Sequence, residues 1–560
     1  MNLAALMDYP DDARQIFYES TMYAMMARLK KAGVSRVYLQ YYGNTDYGHF
    51  WTHKAPTHRE MVETAKNLPE YSRVFVEAAK ANGLETAVIM KPQEEGIWLT
   101  YSDYYKEARE NPGIPYMGGK VLIASKFAMN NPDLRIKRRS WDIDPGALQK
   151  KISSIQLFKQ NEIHSRIEKE NISIYTSDNN ANYKLYTGDF SISWSKTLAD
   201  EDVISGSFTR DYPEEIITHK GDAIEVITIS GLSIEERYVA LTINCSGTAK
   251  EGQQFVNVPA KTIAIYDSDG DEICASPGHA SRFCPKDRPI LEAGFHFDDG
   301  FGRHFPEILD PDDETGYTAI CKGKYEYVHG TLCACESRVL EHWMKWQETA
   351  MDDGFDYVGN RIENHSVHVD EPFAYGYNDC IKEEYFKRYG KCAERDMDTA
   401  LISKIRGDAY TKLLVRSAER AHRRGKKFIL TLNMEMLYNP IPVARHMAYP
   451  MNVEWQWERW IDETQPDEIN IRSYQMSPEF MLNDVQCKKI LNTAQKKGIP
   501  MTLERYDYWD FAADFEMVDN TGIFSSITLY ETNNVIQSDG KGGIVEIKPE
   551  LLEKLEELMK

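Results

Sequence analysis

Two glutamates stand where packing alone gives little reason for a carboxylate. Glu363 lies in the run 357–366 (YVGNRIENHS) and Glu504 in 500–509 (PMTLERYDYW). Each run begins apolar and β-branched and turns polar and aromatic just past the carboxylate. Parallel strands are buried along their length, so a charge is tolerated mainly where a strand emerges. Two carboxylates emerging on one rim suit the cleavage of a glycosidic bond. One protonates the leaving oxygen; the other attacks at ~5–5.5 Å separation or activates a water at ~6.5–9.5 Å.

Such a rim needs strands and helices that alternate. The chain begins so, with strand 3–10, helix 13–32 closed by Gly33, strand 34–42, helix 73–81 closed by Asn82-Gly83, and strand 84–90. From about 152 to 277 the pattern changes to short alternating strands with turn residues, among them ISIYTSD, FSISW and AIEVITIS. The rhythm then resumes: helix 337–352, strand 355–363, helix 399–424, strand 427–434, helix 453–463, strand 468–474, helix 483–497, strand 500–506, strand 522–530 and helix 548–559. Three strands before the break and five after it make an α/β chain, a (β/α)8 TIM barrel. An all-β, sandwich-like domain interrupts its third βα loop. The expected boundaries are 1–151, 152–277 and 278–560. On this count Glu363 ends the fourth strand and Glu504 the seventh. The inserted domain reads first as a lid or dimerisation element.

In this fold the carboxyl ends of the strands carry the site. They present Asp8, Tyr41, Glu363 with Asn364 and His365, Asn433 with Glu435, Arg472 with Tyr474, Glu504 with Tyr506, and Glu531. His49 and Trp51 follow the second strand and Trp509 the seventh. Aromatic faces stack on sugar rings and polar groups orient hydroxyls, so these residues are the expected substrate contacts. Trp343 and Trp346, at i and i+3 of a helix, are expected in the core.

Glutamates ending strands four and seven resemble the arrangement of the clan A glycoside hydrolases. The resemblance implies a retaining double displacement with Glu504 as nucleophile, Glu363 as acid/base, and Tyr474 or Tyr506 bonded to the nucleophile. That clan carries Asn-Glu at strand four, where this chain has Ile362-Glu363-Asn364. Asp370-Glu371-Pro372-Phe373 resembles an altered Asn-Glu-Pro, so Glu371 competes for the acid/base role. The run Arg361…His365-Ser366, then Tyr375-Gly376-Tyr377-Asn378, Glu384-Tyr385 and Arg388-Tyr389-Gly390 is similar to bacterial glycosyl-hydrolase-like barrel proteins. That likeness implies that Arg361 and His365 lie where the sugar binds.

The balance of the chain fits a carbohydrate partner. With 87 acidic against 66 basic residues the net charge is −21, which repels nucleic acid and anionic lipid. The basic cluster 135–139 (RIKRR) reads as a solvated loop. No apolar run approaches the ~20 residues of a membrane span. Nine cysteines without CxxC pairs argue against a disulfide framework or structural zinc and for a reducing compartment. The expected location is cytoplasmic, or secreted if a leader precedes the chain. Motifs for nucleotide phosphates (GxGxxG after a strand, GxxxxGK[ST]) and for a serine nucleophile (GxSxG) are missing, so no cofactor is expected. Two competitors stay open. A metal-dependent barrel hydrolase would use His365, His368, Asp370 and Glu371, or His296 with Asp298 and Asp299. A non-catalytic carbohydrate-binding barrel would need no carboxylate pair. Oligomeric state is not legible, and a homo-oligomer stays open.

Overall fold

The structure is a computed structural model. It describes residues 1–8, 15–41, 63–64, 66–93, 96–99, 116–117, 120–124, 126–159, 168–179, 184–198, 203–205, 215–218, 220–244, 263–273, 297–298, 304–305, 315–324, 326–362, 372–438, 452–473, 476–506 and 510–560.

Eight parallel strands close into a barrel: Asn2–Asp8, Val34–Tyr41, Glu85–Met90, Tyr357–Asn360, Lys427–Asn433, Glu468–Arg472, Met501–Tyr506 and Ser526–Tyr530. The ring closes where Asn2 to Leu6 pair with Ser526 to Tyr530. Nearly every strand residue is buried because both faces are covered. Outward-facing Leu3, Met7, Val37, Leu39, Val88, Leu430, Leu432, Ile471, Leu503 and Leu529 join one core with the surrounding helices. The alternate residues Ala4, Leu6, Tyr38, Ala87, Ile89, Tyr357, Ile429, Tyr506 and Tyr530 fill the barrel itself. The expected (β/α)8 barrel is therefore present, with strands one to three before a long excursion and strands four to eight after it.

Helices cover the barrel where the apolar spacing places them, including Glu19–Lys31, Tyr71–Ala81, Ser337–Asp353, Thr399–Arg423 and Val485–Lys496. Trp343 and Trp346 are fully buried on Ser337–Asp353. That helix stops at Gly354, whose φ of 100° is a left-handed cap that glycine supplies without a Cβ clash. The helix Phe511–Thr521, between strands seven and eight, escaped the sequence reading although Asp510 caps it by accepting from Ala513 N at 3.0 Å.

Between the third and fourth strands two antiparallel sheets pack face to face. One orders Lys184–Leu185, Ile172–Ser177, Tyr238–Asn244 and Thr315–Cys321; the other orders Ser191–Leu198, Ala223–Ile234, Ile152–Lys159 and Ile263–Tyr266. Their shared core is rich in β-branched residues, with Ile155, Ile174, Ile227, Ile229, Val239, Ile265 and Ile320. The strand Thr315–Cys321 comes from beyond residue 277. In the Asp267–Asp271 turn Asp267 Oδ1 accepts from the backbone of Asp269 (3.0 Å) and Asp271 (2.8 Å), and Lys150 pairs with the Asp267 and Asp271 side chains.

The basic run 135–139 departs from expectation. Arg135–Lys137 is a strand paired with Tyr327–Leu332, and Arg135 and Arg138 are buried. Each guanidinium finds acceptors inside: Arg135 donates to the Asn179 carbonyl at 2.6 Å, and Arg138 to Tyr375 Oη at 2.8 Å and Asp142 at 3.1 Å. With a single apolar residue, Ile136, the run carries no alternation that would mark a strand, and its charge content pointed to solvent.

Inside the fourth strand Gly359 lets its neighbours close in. A Cβ there would lie 2.9 Å from the Ile429 carbonyl oxygen, 2.8 Å from Ile89 Cδ1 and 3.1 Å from Ile429 Cβ. Gly359→Ala should lower stability by about 1–3 kcal/mol through overpacking. An unchanged midpoint of denaturant unfolding would contradict this close approach.

Candidate active site

Glu504 does not end its strand. The seventh strand continues through Arg505 to Tyr506, and Glu504 points into the barrel with Thr502 and Tyr506. Its side chain is 1% exposed. An inward carboxylate at that depth must be balanced, and two guanidiniums do so. Arg361 Nη2 donates to Oε1 at 2.8 Å and to Oε2 at 2.7 Å. Arg472 Nη1 lies 2.8 Å from Oε1, and Asn470 Nδ2 donates to Oε2 at 3.0 Å. Burial alone would raise the Glu504 pKa; the charges of Arg361 and Arg472 and the Asn470 bond outweigh it and hold the group below the ordinary carboxylate range.

The strands dictate this meeting. Arg472 and Glu504 are register partners on strands six and seven, and Asn470 and Thr502 pair one inward step below. Arg361 follows the fourth strand, where its backbone N–H donates to the Met90 carbonyl at 2.7 Å. It crosses the barrel interior to Glu504.

The network extends toward the first strand. Arg361 donates to Gln40 Oε1, and Gln40 Nε2 donates to Asp8 Oδ2. Tyr530 Oη also donates to Asp8 Oδ2, at 2.9 Å. The Tyr530 ring lies beside both cations, 5.4 Å from Arg361 and 5.0 Å from Arg472, and meets Tyr506 edge-on at 4.5 Å. Burial and then the charge of Asp8 push the Tyr530 phenol well up, so it stays a donor. Arg472 reaches Tyr506 Oη at 3.3 Å. Asp8, Arg361, Arg472, Glu504 and Tyr506 are thus brought into one buried polar cluster.

The other candidates fall differently. Asn433 caps a short turn by accepting from Glu435 N at 2.9 Å, and Ser473 Oγ donates to the buried Glu435 carboxylate. Glu531 follows Tyr530 with φ of 61°, a left-handed conformation costly for a residue with a Cβ, and accepts from Asn534 at 3.1 Å. Tyr41 closes the second strand. Glu363, Asn364, His365, Glu371, His49, Trp51, Tyr474 and Trp509 lie outside the described residues. So do His296, His368, Asp370 and Asp299, while Asp298 belongs to the short strand Phe297–Asp298. Among the described residues no group of three or more His, Cys, Asp or Glu is arranged to hold a metal ion. No helix among them is long and apolar enough to cross a membrane.

Sequence reasoning missed Asn470, Tyr530 and Ser473 as members of this region. Asn470 was discoverable: in EINIR it shares the inward face with Arg472, and an amide inside a buried strand needs a partner. Tyr530 gave no comparable signal, since a terminal aromatic also suits the core.

No family model and no curated protein matches the chain. Among solved structures it is similar to the catalytic domain of the beta-amylase from Paenibacillus polymyxa, at 8% identity and a TM-score of 0.40, over 100% of this chain and 98% of that one. It is also similar to the alpha-galactosidase from Lactobacillus brevis, at 9% identity and a TM-score of 0.15, over 83% and 70%. These likenesses are too slight to bear on the site.

Two outcomes follow from the paired arginines. Arg472→Met leaves Glu504 half-compensated and should cost about 3–5 kcal/mol, the range for breaking a buried ion pair; a loss below 1 kcal/mol would mean the pair is solvent-screened. Glu504 also sets an acid limit. Its folded pKa is depressed, so its contribution is complete above the unfolded value near ~4.3 and is lost as pH falls through the folded value. Stability measured from pH 7 to 3 should therefore fall less steeply in Glu504→Gln than in the parent; parallel curves would contradict the depressed pKa.

Proposed function

We propose that the chain is a glycoside hydrolase acting by a retaining double displacement, with Glu504 as nucleophile and Glu363 or Glu371 as acid/base. One observation carries this reading: an ionised carboxylate near the carboxyl end of the seventh barrel strand, held by two arginines and an amide. A nucleophilic carboxylate must be charged before the sugar arrives, and Arg361 and Arg472 meet that need. The partner must be protonated, which requires an environment of opposite character. In the first step Glu504 attacks the anomeric carbon while the acid protonates the departing oxygen. In the second, water attacks with the same group as base and Glu504 leaves. Asp8, which accepts from Tyr530 Oη and Gln40 Nε2, would couple sugar hydroxyls to the cluster.

A second reading has its own support. Glu504 already accepts three hydrogen bonds and is ion-paired with Arg472 as well, which lowers its basicity and leaves little room for attack. A carboxylate so engaged also suits a non-catalytic carbohydrate-binding barrel in which the ion pairs only brace the interior.

Turnover separates the two. On a panel of aryl glycosides, Glu504→Gln should lower kcat by at least 10³-fold, with sugar binding by calorimetry and the far-ultraviolet dichroism retained. Turnover within tenfold of the parent would remove Glu504 from the nucleophile role. A parent inactive on the whole panel that still binds sugar would favour the binding protein.

A further inference from the structure

Away from the barrel, one sheet of the insertion alternates its side chains between the shared core and an outward face. Its strands are Ser191–Leu198, Ala223–Ile234, Ile152–Lys159 and Ile263–Tyr266, in that order. Ile155, Leu157, Ile227, Ile229 and Ile265 belong to the core, and Ile192 and Trp194 pack against it. The positions between them therefore turn outward, and the register aligns them in rows. Ser191, Ser230, Ser154 and Tyr266 form one row; Ser193, Thr228, Gln156 and Ala264 form the next. Ser195 lies opposite Val226, and Thr197 continues along the edge strand. The edge strand pairs with residues 223–230 without a register shift, so the rows stay regular. Ser191 Oγ and Ser230 Oγ share a hydrogen bond of 3.0 Å across the sheet. Ser191, Ser193, Ser195 and Thr197 are exposed, Val226 and Ala264 are buried, and the rest are half-buried.

A polar outer face is usual for an antiparallel sheet, but such a surface ordinarily mixes charges of both signs. In a chain that is 27% charged, with a net charge of −21, the described residues in these rows carry no charge. Lys196 shares the edge strand but alternates with Ile192 and Trp194 on the other face. Glu272, bridged to Tyr266, stands at the border. Composition narrows the partner. Nucleic acid and anionic lipid are held by Lys and Arg. A protein interface centres on aromatic or aliphatic anchors, where the exposed positions here are Ser and Thr. Hydroxyls and an amide both donate and accept, which matches a ligand that is itself covered in hydroxyls. Tyr266 adds a ring face of the kind that stacks on a sugar.

We propose that this outward face, with the Ser193–Thr228–Gln156 row at its middle, is a binding surface for an uncharged polysaccharide strand. An extended polymer presents hydroxyls at regular intervals, and rows about 6.8 Å apart along the strands can meet them repeatedly. Each contact is weak, and the binding comes from their number along one chain. The neutrality of the face is what sets the ligand class. An anionic polymer would be repelled by the negative charge of the chain as a whole and would find no cation in these rows. The surface takes no part in bond cleavage and does not depend on the roles given to Glu504, Glu363 or Glu371.

The test is a depletion isotherm of the full chain on insoluble cellulose, xylan, mannan, starch and chitin, with a polygalacturonate gel as the anionic control. The expected result is retention on at least one neutral polymer and none on polygalacturonate. Ser193→Glu combined with Gln156→Glu puts charge into the middle row and should weaken that retention by about tenfold or more. Leu198→Gln, exposed on the other face of the edge strand, should leave it unchanged. Ser195→Glu, at an exposed position, should act as the double variant does and replaces it if dichroism shows the double variant unfolded. Equal retention of the parent and the charged variants would overturn the proposal. So would no retention on any neutral polymer, or equal retention on polygalacturonate. A dimer in sedimentation that the charged variants dissociate would also overturn it, making the face a contact between copies. Aryl-glycoside turnover of Glu504→Gln reports on the barrel alone, so either reading can fail without the other.

Discussion

A carboxylate inside a closed sheet loses its hydration, and nothing in a ring of eight strands restores it except other side chains. Glu504 keeps its charge because Arg361 and Arg472 converge on it and Asn470 takes a remaining lone pair. Each of those partners is itself buried, so each depends on the carboxylate as much as the carboxylate depends on it. The interaction is mutual and costly to break from either side. It also fixes register: Arg472 and Glu504 meet because strands six and seven pair them, and a one-residue slip of either strand would turn its charge into the outer apolar core.

The barrel holds a second charge centre at the amino ends of its strands. Glu468 accepts from Tyr38 and Thr502 at 2.8 Å each and pairs with Arg36, whose guanidinium lies 3.9 Å from the centre of the Tyr357 ring. Between the two centres lie Ala4, Leu6, Ala87, Ile89 and Ile429. Charge conservation within each layer lets a polar interior coexist with a stable fold. Barrels place chemistry at the carboxyl ends and stability at the amino ends. The Glu468 centre lies at the end that this fold reserves for stability, and the Glu504 centre, continuous with Asp8 and Tyr530, lies toward the carboxyl ends of the strands.

Much of the architecture was legible in the sequence because its signals are local. Gly33, Asn82-Gly83, Gly425 and Gly498 end helices where the apolar spacing stops, and the runs after them are buried strands. The change of period in the insertion gave the antiparallel sheets, although Thr315–Cys321 joins them from a stretch where turn signals are weak. The site was legible only in outline. Asp8, Arg472, Glu504 and Tyr506 were selected as residues at strand ends and Arg361 from a family resemblance, and the barrel brings them together. What could not be read was depth and partnership. Arg361 reads as a sugar contact, yet its guanidinium is committed to Glu504 and Gln40 across the barrel, a relation set by closure and not by spacing along the chain. The buried arginines of RIKRR were lost for the same reason: a charge is assigned to solvent until the fold supplies its acceptors.

A nucleophilic Glu504 must face a second carboxyl across a bound sugar. A crystal structure of Glu504→Gln with a bound oligosaccharide measures this directly. The residue-504 side chain is expected beside an anomeric carbon, with the carboxyl of Glu363 or Glu371 ~5–5.5 Å away across the scissile bond. A sugar seated elsewhere, or no second carboxyl within ~10 Å of residue 504, would contradict it and leave the arginine-bound glutamate as a brace alone.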